Sequence, residues 1–168
     1  MRCFFQTRGG WAALALRLGL GIVFFPHGMG KLFGWFGGSG FSGTLTQMTT
    51  GHHPLPAVLV VMVIAAEGLG SLGLIGGFLT RLCAFGLGCT MVGAVAMVHW
   101  HNGMFMNWSG KQAGEGFEFH LLAITICLGL LILGGGKWSV DGAIARCCRK
   151  DSRLSNVVPS STPPSEYA

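Results

Sequence analysis

The stretch PAVLVVMVIAAEGLGSLGLIGGFL, residues 56–79, decides the fold. It runs for 24 residues with Glu67 as its single charge. At 1.5 Å per residue, a helix of that length crosses the roughly 30 Å hydrocarbon core of a bilayer. A carboxylate near the bilayer centre costs roughly 2.5–3.5 kcal/mol on insertion scales. A chain that keeps one there gives it a partner inside a helix bundle, a water-filled site or a proton.

The rest of the chain has the same character. Of 168 residues, 51% are hydrophobic and 10% charged, where a soluble domain carries nearer a quarter charged. With a mean hydropathy of +0.58, this is one compact membrane domain, expected over residues 1–150. Further apolar segments occur at 11–33, 82–101 and 118–136. Each is near 20 residues and none alternates with period two, so four transmembrane helices are expected rather than a barrel. The first segment follows Arg2 and Arg8 but has no small-residue cleavage site, so it reads as a retained span. The Ser- and Pro-containing end, residues 151–168, has nothing to bury and is expected to be a disordered tail.

Lys and Arg set the expected orientation. Arg2, Arg8, Arg81, Lys137, Arg146, Arg149, Lys150 and Arg153 fall on one side, Lys31 and Lys111 on the other. Both termini are therefore expected in the cytoplasm, with loops 34–55 and 102–117 outside. Trp11, Trp35, Trp100, Trp108 and Trp138 fall at or just beyond span ends, as an aromatic belt requires. Glycines are dense in the first two spans, including Gly21, Gly28, Gly68, Gly73 and Gly77, which suits close helix packing more than a dimer motif. Pro26 removes one helix hydrogen bond and is expected to kink span one.

Arg17, Gly21, Phe24, Gly28 and Lys31 recur at helical spacing, so both cations share one stripe. Counted from the cytoplasmic ends, Arg17 lies about 9 Å from the depth of Glu67. An Arg17–Glu67 ion pair is the simplest way to make both tolerable. The pair is either structural or a proton or ligand site; a protonated, unpaired Glu67 is the third reading.

A second polar cluster is expected at the outer face: His27 and Lys31 end span one, His99 and His101 end span three, Glu118 and His120 open span four. His27, Lys31, His99, Glu118 and His120 are the candidate ligand pocket. Imidazole and carboxylate suit transition metals, but residues two apart on a helix point about 200° from each other. No metal site is therefore assigned. A pocket for a small polar head group, such as a quinone carbonyl, and ordinary interfacial histidines are the competing readings. Six cysteines form no C-x-x-C pair, against a zinc knuckle or dithiol. No nucleotide, hydrolase or zinc-protease motif is present. The net charge of +5 is explained by the flanks. It implies anionic lipid rather than nucleic acid.

The order of these features resembles the DoxX family of small four-helix membrane proteins. The carrying stretches are Arg17 with GLGIVFFPHGMGKLFG, then AAEGLGSLGLIGGFLTR with Glu67 and Arg81, then His99, Glu118 and the ending GGGKWSVDGAI. They spread over about residues 11–144, and the Ser/Pro tail lies outside the pattern. The resemblance implies a four-helix protein of a bacterial or archaeal cytoplasmic membrane. Some relatives are named as subunits of quinone-linked oxidoreductases, including thiosulfate:quinone oxidoreduction and terminal quinol oxidase. Quinone is the cofactor and a redox-enzyme subunit the partner that this implies.

Three functions follow as expectations. The first is a membrane redox subunit that binds a quinone between helices and takes electrons from a partner. The second is a non-catalytic anchor or assembly factor. The third, a small transporter, lacks a detectable inverted repeat or broken-helix pair. Catalytic residues, catalysis by the chain alone and homo-oligomerisation are left open.

Overall fold

The computed structural model describes residues 7–155, with side chains as far as Cys147. Among them every regular element is helical. Helix α1 spans Gly10–Phe33, α2 Gly40–Thr50, α3 Ala57–Gly76, α4 Thr80–Ala94, α5 Glu118–Leu133 and α6 Val140–Ser155. A π turn at Val95–His99 and a 3-10 turn at Trp100–Asn102 extend α4. Three helical stretches, Gly10–Phe33, Ala57–Gly76 and Thr80–Asn102, are long and apolar enough to cross a membrane, and α5 is a shorter apolar helix.

The apolar helices bury one side and expose another. Leu20, Phe24, Leu74, Leu87, Met91 and Leu130 belong to the common core. Val58, Met62, Leu69, Leu122 and Ile132 lie outward and exposed, a pattern that suits helices surrounded by lipid rather than water. All five tryptophans are exposed; Trp11, Trp35, Trp100 and Trp138 lie at or within two residues of helix ends, and Trp108 lies in the loop before α5.

Close approach of α1 and α3 depends on glycine. A methyl group at Gly28 would collide with the Glu67 carbonyl and the Gly68 Cα, and one at Gly21 would meet the Ile75 side chain. Gly73 and Gly77 do different work. Gly73 faces the Cys83 side chain of α4, and Gly77 ends α3 at φ 68°. Both therefore serve the α3–α4 corner.

Three expectations need adjustment. Span four leaves the helix at Leu133, three residues early, where Gly134 turns to φ 74°. Pro26 lies inside the continuous helix α1. The segment 34–55, expected to be an outer loop, contains α2, whose Thr-rich sequence gives no apolar signal. Its hydroxyls bond back along the helix, Thr49 to the Leu45 carbonyl and Thr50 to that of Thr46, while Thr44 is buried. Helix α6 carries the backbone through Ser155, so residues 151–155 are not the expected disordered tail; residues 156–168 lie outside the described residues.

Candidate functional site

The start of α1, the α3–α4 corner and the end of α5 meet at one end of the bundle, around Arg17. This guanidinium is 1% exposed. Its Nε donates to the Gly135 carbonyl at 2.9 Å, one terminal nitrogen to those of Leu74 and Ile75, and the other to those of Lys137 and Trp138. Those oxygens belong to the last turn of α3 and the segment after α5, where a helix leaves carbonyls without internal partners. Arginine has five N–H donors in a fixed fork, and here five carbonyls use them. Asp141 completes the knot. Its Oδ1 accepts from the Leu79 amide at 2.8 Å and its Oδ2 from the Thr80 amide at 2.9 Å, capping the positive end of α4. Ser139 caps α6 by accepting from the Gly142 amide at 3.1 Å.

Glu67 is paired elsewhere, so the expected Arg17–Glu67 ion pair is replaced. Its Oε2 lies 2.5 Å from the Lys31 ammonium, and the two side chains are 4% and 32% exposed. Side-chain direction is the reason. Side chains on an α-helix lean toward its N-terminus. Gly28 abuts Glu67 and Gly68. Lys31, one turn beyond, therefore leans back toward Glu67, whereas Arg17 leans away from it toward the end of α3. Its carbonyl partners there lie seven and eight residues past Glu67, about 10–12 Å along the helix.

Lys31 also lines a cavity of about 380 Å³ between α1, the 3-10 turn Trp35–Gly37 and α2. His27, Trp35, Phe36, Thr44 and Gln47 share its wall. The volume falls in the range of small-molecule sites. The wall offers an ammonium, an imidazole and aromatic rings, and Glu67 stands behind the ammonium.

The five candidate pocket residues separate into two groups. His27 and Lys31 line the cavity; His99, Glu118 and His120 do not. In the second group the rings of His99 and His120 lie 4.2 Å apart, tilted by 38°. His99 Nδ1 is 2.8 Å from the Glu115 carbonyl. His120 is 9% exposed, and its Nδ1 has no hydrogen-bond partner among the described residues. The π turn lets His99 meet α5 while His101 stays exposed. Glu118 Oε1 accepts from the Met106 amide at 3.1 Å and from Trp108 Nε1 at 3.3 Å, so it orders the loop after α4. No group of three or more His, Cys, Asp or Glu among the described residues is arranged to hold a metal ion.

Apolar membrane-length helices packed on a glycine seam, with charges satisfied inside the bundle, define a multi-pass helical membrane protein. The DoxX family model matches residues 12–100, just over half of the 168-residue chain, and the protein belongs to the DoxX family. No curated protein and no solved structure matches it.

Sequence reasoning missed the Lys31–Glu67 pair, the Asp141 cap and the cavity under α2. The lean of helical side chains could have found the first. Ser139 and Asp141 just before an amphipathic run signal the start of α6, but not the reach of Asp141 back to the Leu79 and Thr80 amides. Nothing in the Thr-rich segment 40–50 signals the third.

Proposed function

We propose that this protein is a membrane subunit of a quinone-linked oxidoreductase system, and that the cavity beside Lys31 receives the quinone ring. The carrying observation is that a buried carboxylate, Glu67, holds the Lys31 ammonium in the wall of a cavity of about 380 Å³. An ammonium so placed can donate to a quinone oxygen, and His27 offers a second polar contact. Trp35 and Phe36 offer ring faces for an aromatic head group. The quinone, when bound, supplies the electron-accepting chemistry. The chain's own residues bind and orient it, and a redox-enzyme partner supplies the electrons. His99, Glu118 and His120 organise the neighbouring outer loop and stand outside this cavity.

In this reading both termini face the cytoplasm of a bacterial or archaeal cell, as the distribution of Lys and Arg favours. The protein purified from its membrane should carry quinone extractable into organic solvent. The Lys31→Met/Glu67→Gln double variant, which removes both charges together, should carry little. Equal quinone in both would remove the cavity from the proposal.

One observation favours a non-catalytic anchor or assembly partner. All five donors of the buried Arg17 are used by backbone carbonyls, so this intramembrane charge serves architecture alone. Stable co-purification with a partner complex and no quinone in the isolated chain would support that reading.

A further inference from the structure

Helix α6 follows the bundle and has a different composition. Its N-terminus is fixed: Asp141 accepts from the amides that open α4, and the Asp141 amide donates to the Gly77 carbonyl at 3.0 Å. The helix starts beside Trp138, which is 76% exposed and meets Trp11 edge to face at 5.1 Å. Lys137 lies over the Trp11 ring at 4.4 Å. Exposed tryptophans beside a lysine at a span end mark the height of the lipid headgroups. At 100° per residue, positions 140, 144 and 147 fall within an arc of about 60°, and positions 146, 149, 150 and 153 within an arc of about 100° on the opposite side. The first set is Val, Ile and Cys; the second is Arg, Arg, Lys and Arg. Val140 and Cys147 are exposed and Ile144 half-buried, so the bundle does not cover the apolar stripe.

We propose that α6 is an interfacial helix. Its apolar stripe enters the headgroup boundary of the bilayer that the bundle crosses, and its basic positions bind anionic lipid phosphates. Three observations select this occupant. The helix begins at the tryptophan level. Val140 and Cys147 of the stripe are exposed, and the sequence between 142 and 155 holds four basic residues against one acidic residue, Asp151. A basic amphipathic helix at a membrane boundary gains from both apolar burial and attraction to anionic headgroups. The inference rests on the membrane fold and is independent of quinone.

The full chain in nanodiscs, followed by amide hydrogen exchange, tests it. Exchange over residues 143–155 should be at least about tenfold slower in discs with one-third phosphatidylglycerol than in phosphatidylcholine alone, since each basic residue near an anionic surface adds attraction. High salt should reduce the difference. The Arg146→Glu/Arg149→Glu/Lys150→Glu variant should lose it while α3 keeps its protection. Equal exchange in the two kinds of disc would overturn the proposal and leave α6 to a second copy or a soluble partner. A difference that survives the charge-reversed variant would overturn it too.

Discussion

Lys31 on α1 and Glu67 on α3 form an ion pair that is dry on one side and open on the other. The carboxylate side chain is 4% exposed and the ammonium 32%. The asymmetry means that the two partners do not depend on each other equally.

Removing Lys31 leaves a buried carboxylate alone, whereas removing the Glu67 charge leaves an ammonium that can reach solvent. Lys31→Met should therefore destabilise the protein by about 3–5 kcal/mol, and Glu67→Gln by clearly less. The Lys31→Met/Glu67→Gln double variant should recover most of the loss. Thermal unfolding in mild detergent checks this, and an equal effect of the two single changes would contradict it.

Arg17 and Glu67 should be energetically independent, because their partners lie at different depths. Losses from Arg17→Lys and Glu67→Gln should add within about 0.5 kcal/mol. Arg17→Lys alone should cost about 3 kcal/mol or more. Lysine offers three donors without the fork that meets five carbonyls, and each hydrogen bond to a charged group is worth about 1.5–3 kcal/mol. A double-mutant cycle by thermal unfolding measures both.

Two glycines in α1 separate packing from helix propensity. Gly28→Ala should lower stability by about 1–3 kcal/mol, because the added methyl meets α3 backbone, which cannot yield as a side-chain tip can. A methyl group at Gly19 would meet nothing within 4 Å among the described residues outside its own helix, so Gly19→Ala should be neutral or slightly stabilising. Melting temperatures of the two variants give the comparison.

Topology has a direct check. Reporter fusions at Gly51, at the end of α2, and after Ala168 should label opposite faces of the membrane; label on one face for both would contradict the proposed orientation.

The helical fold was legible because span length and apolar content act locally. The spans at 11–33 and 56–79 end within three residues of α1 and α3. Arg17 and Glu67 were recognisable as buried charges needing partners, but the partners were not. Arg17 satisfies itself on carbonyls at helix ends, which any sequence supplies and none marks. The sequence groups Lys31 with the expected outer cluster because it ends the helix, although its side chain leans back to Glu67. The outer cluster divided because α2 covers the end of α1 while His99 turns through a π segment onto His120. Depth alone carries no information about which side of the bundle a residue faces.

In the proposed function the cavity beside Lys31 receives a quinone ring. Tryptophan quenching by a short-chain quinone tests it most directly, with Trp35 in the cavity wall as reporter. Saturable quenching is expected in the wild type. The signal should be mostly lost in Trp35→Phe and in the folded Lys31→Met/Glu67→Gln double variant, and retained in His99→Ala. Absence of saturable quenching in the wild type, or quenching that survives both cavity variants, would contradict it.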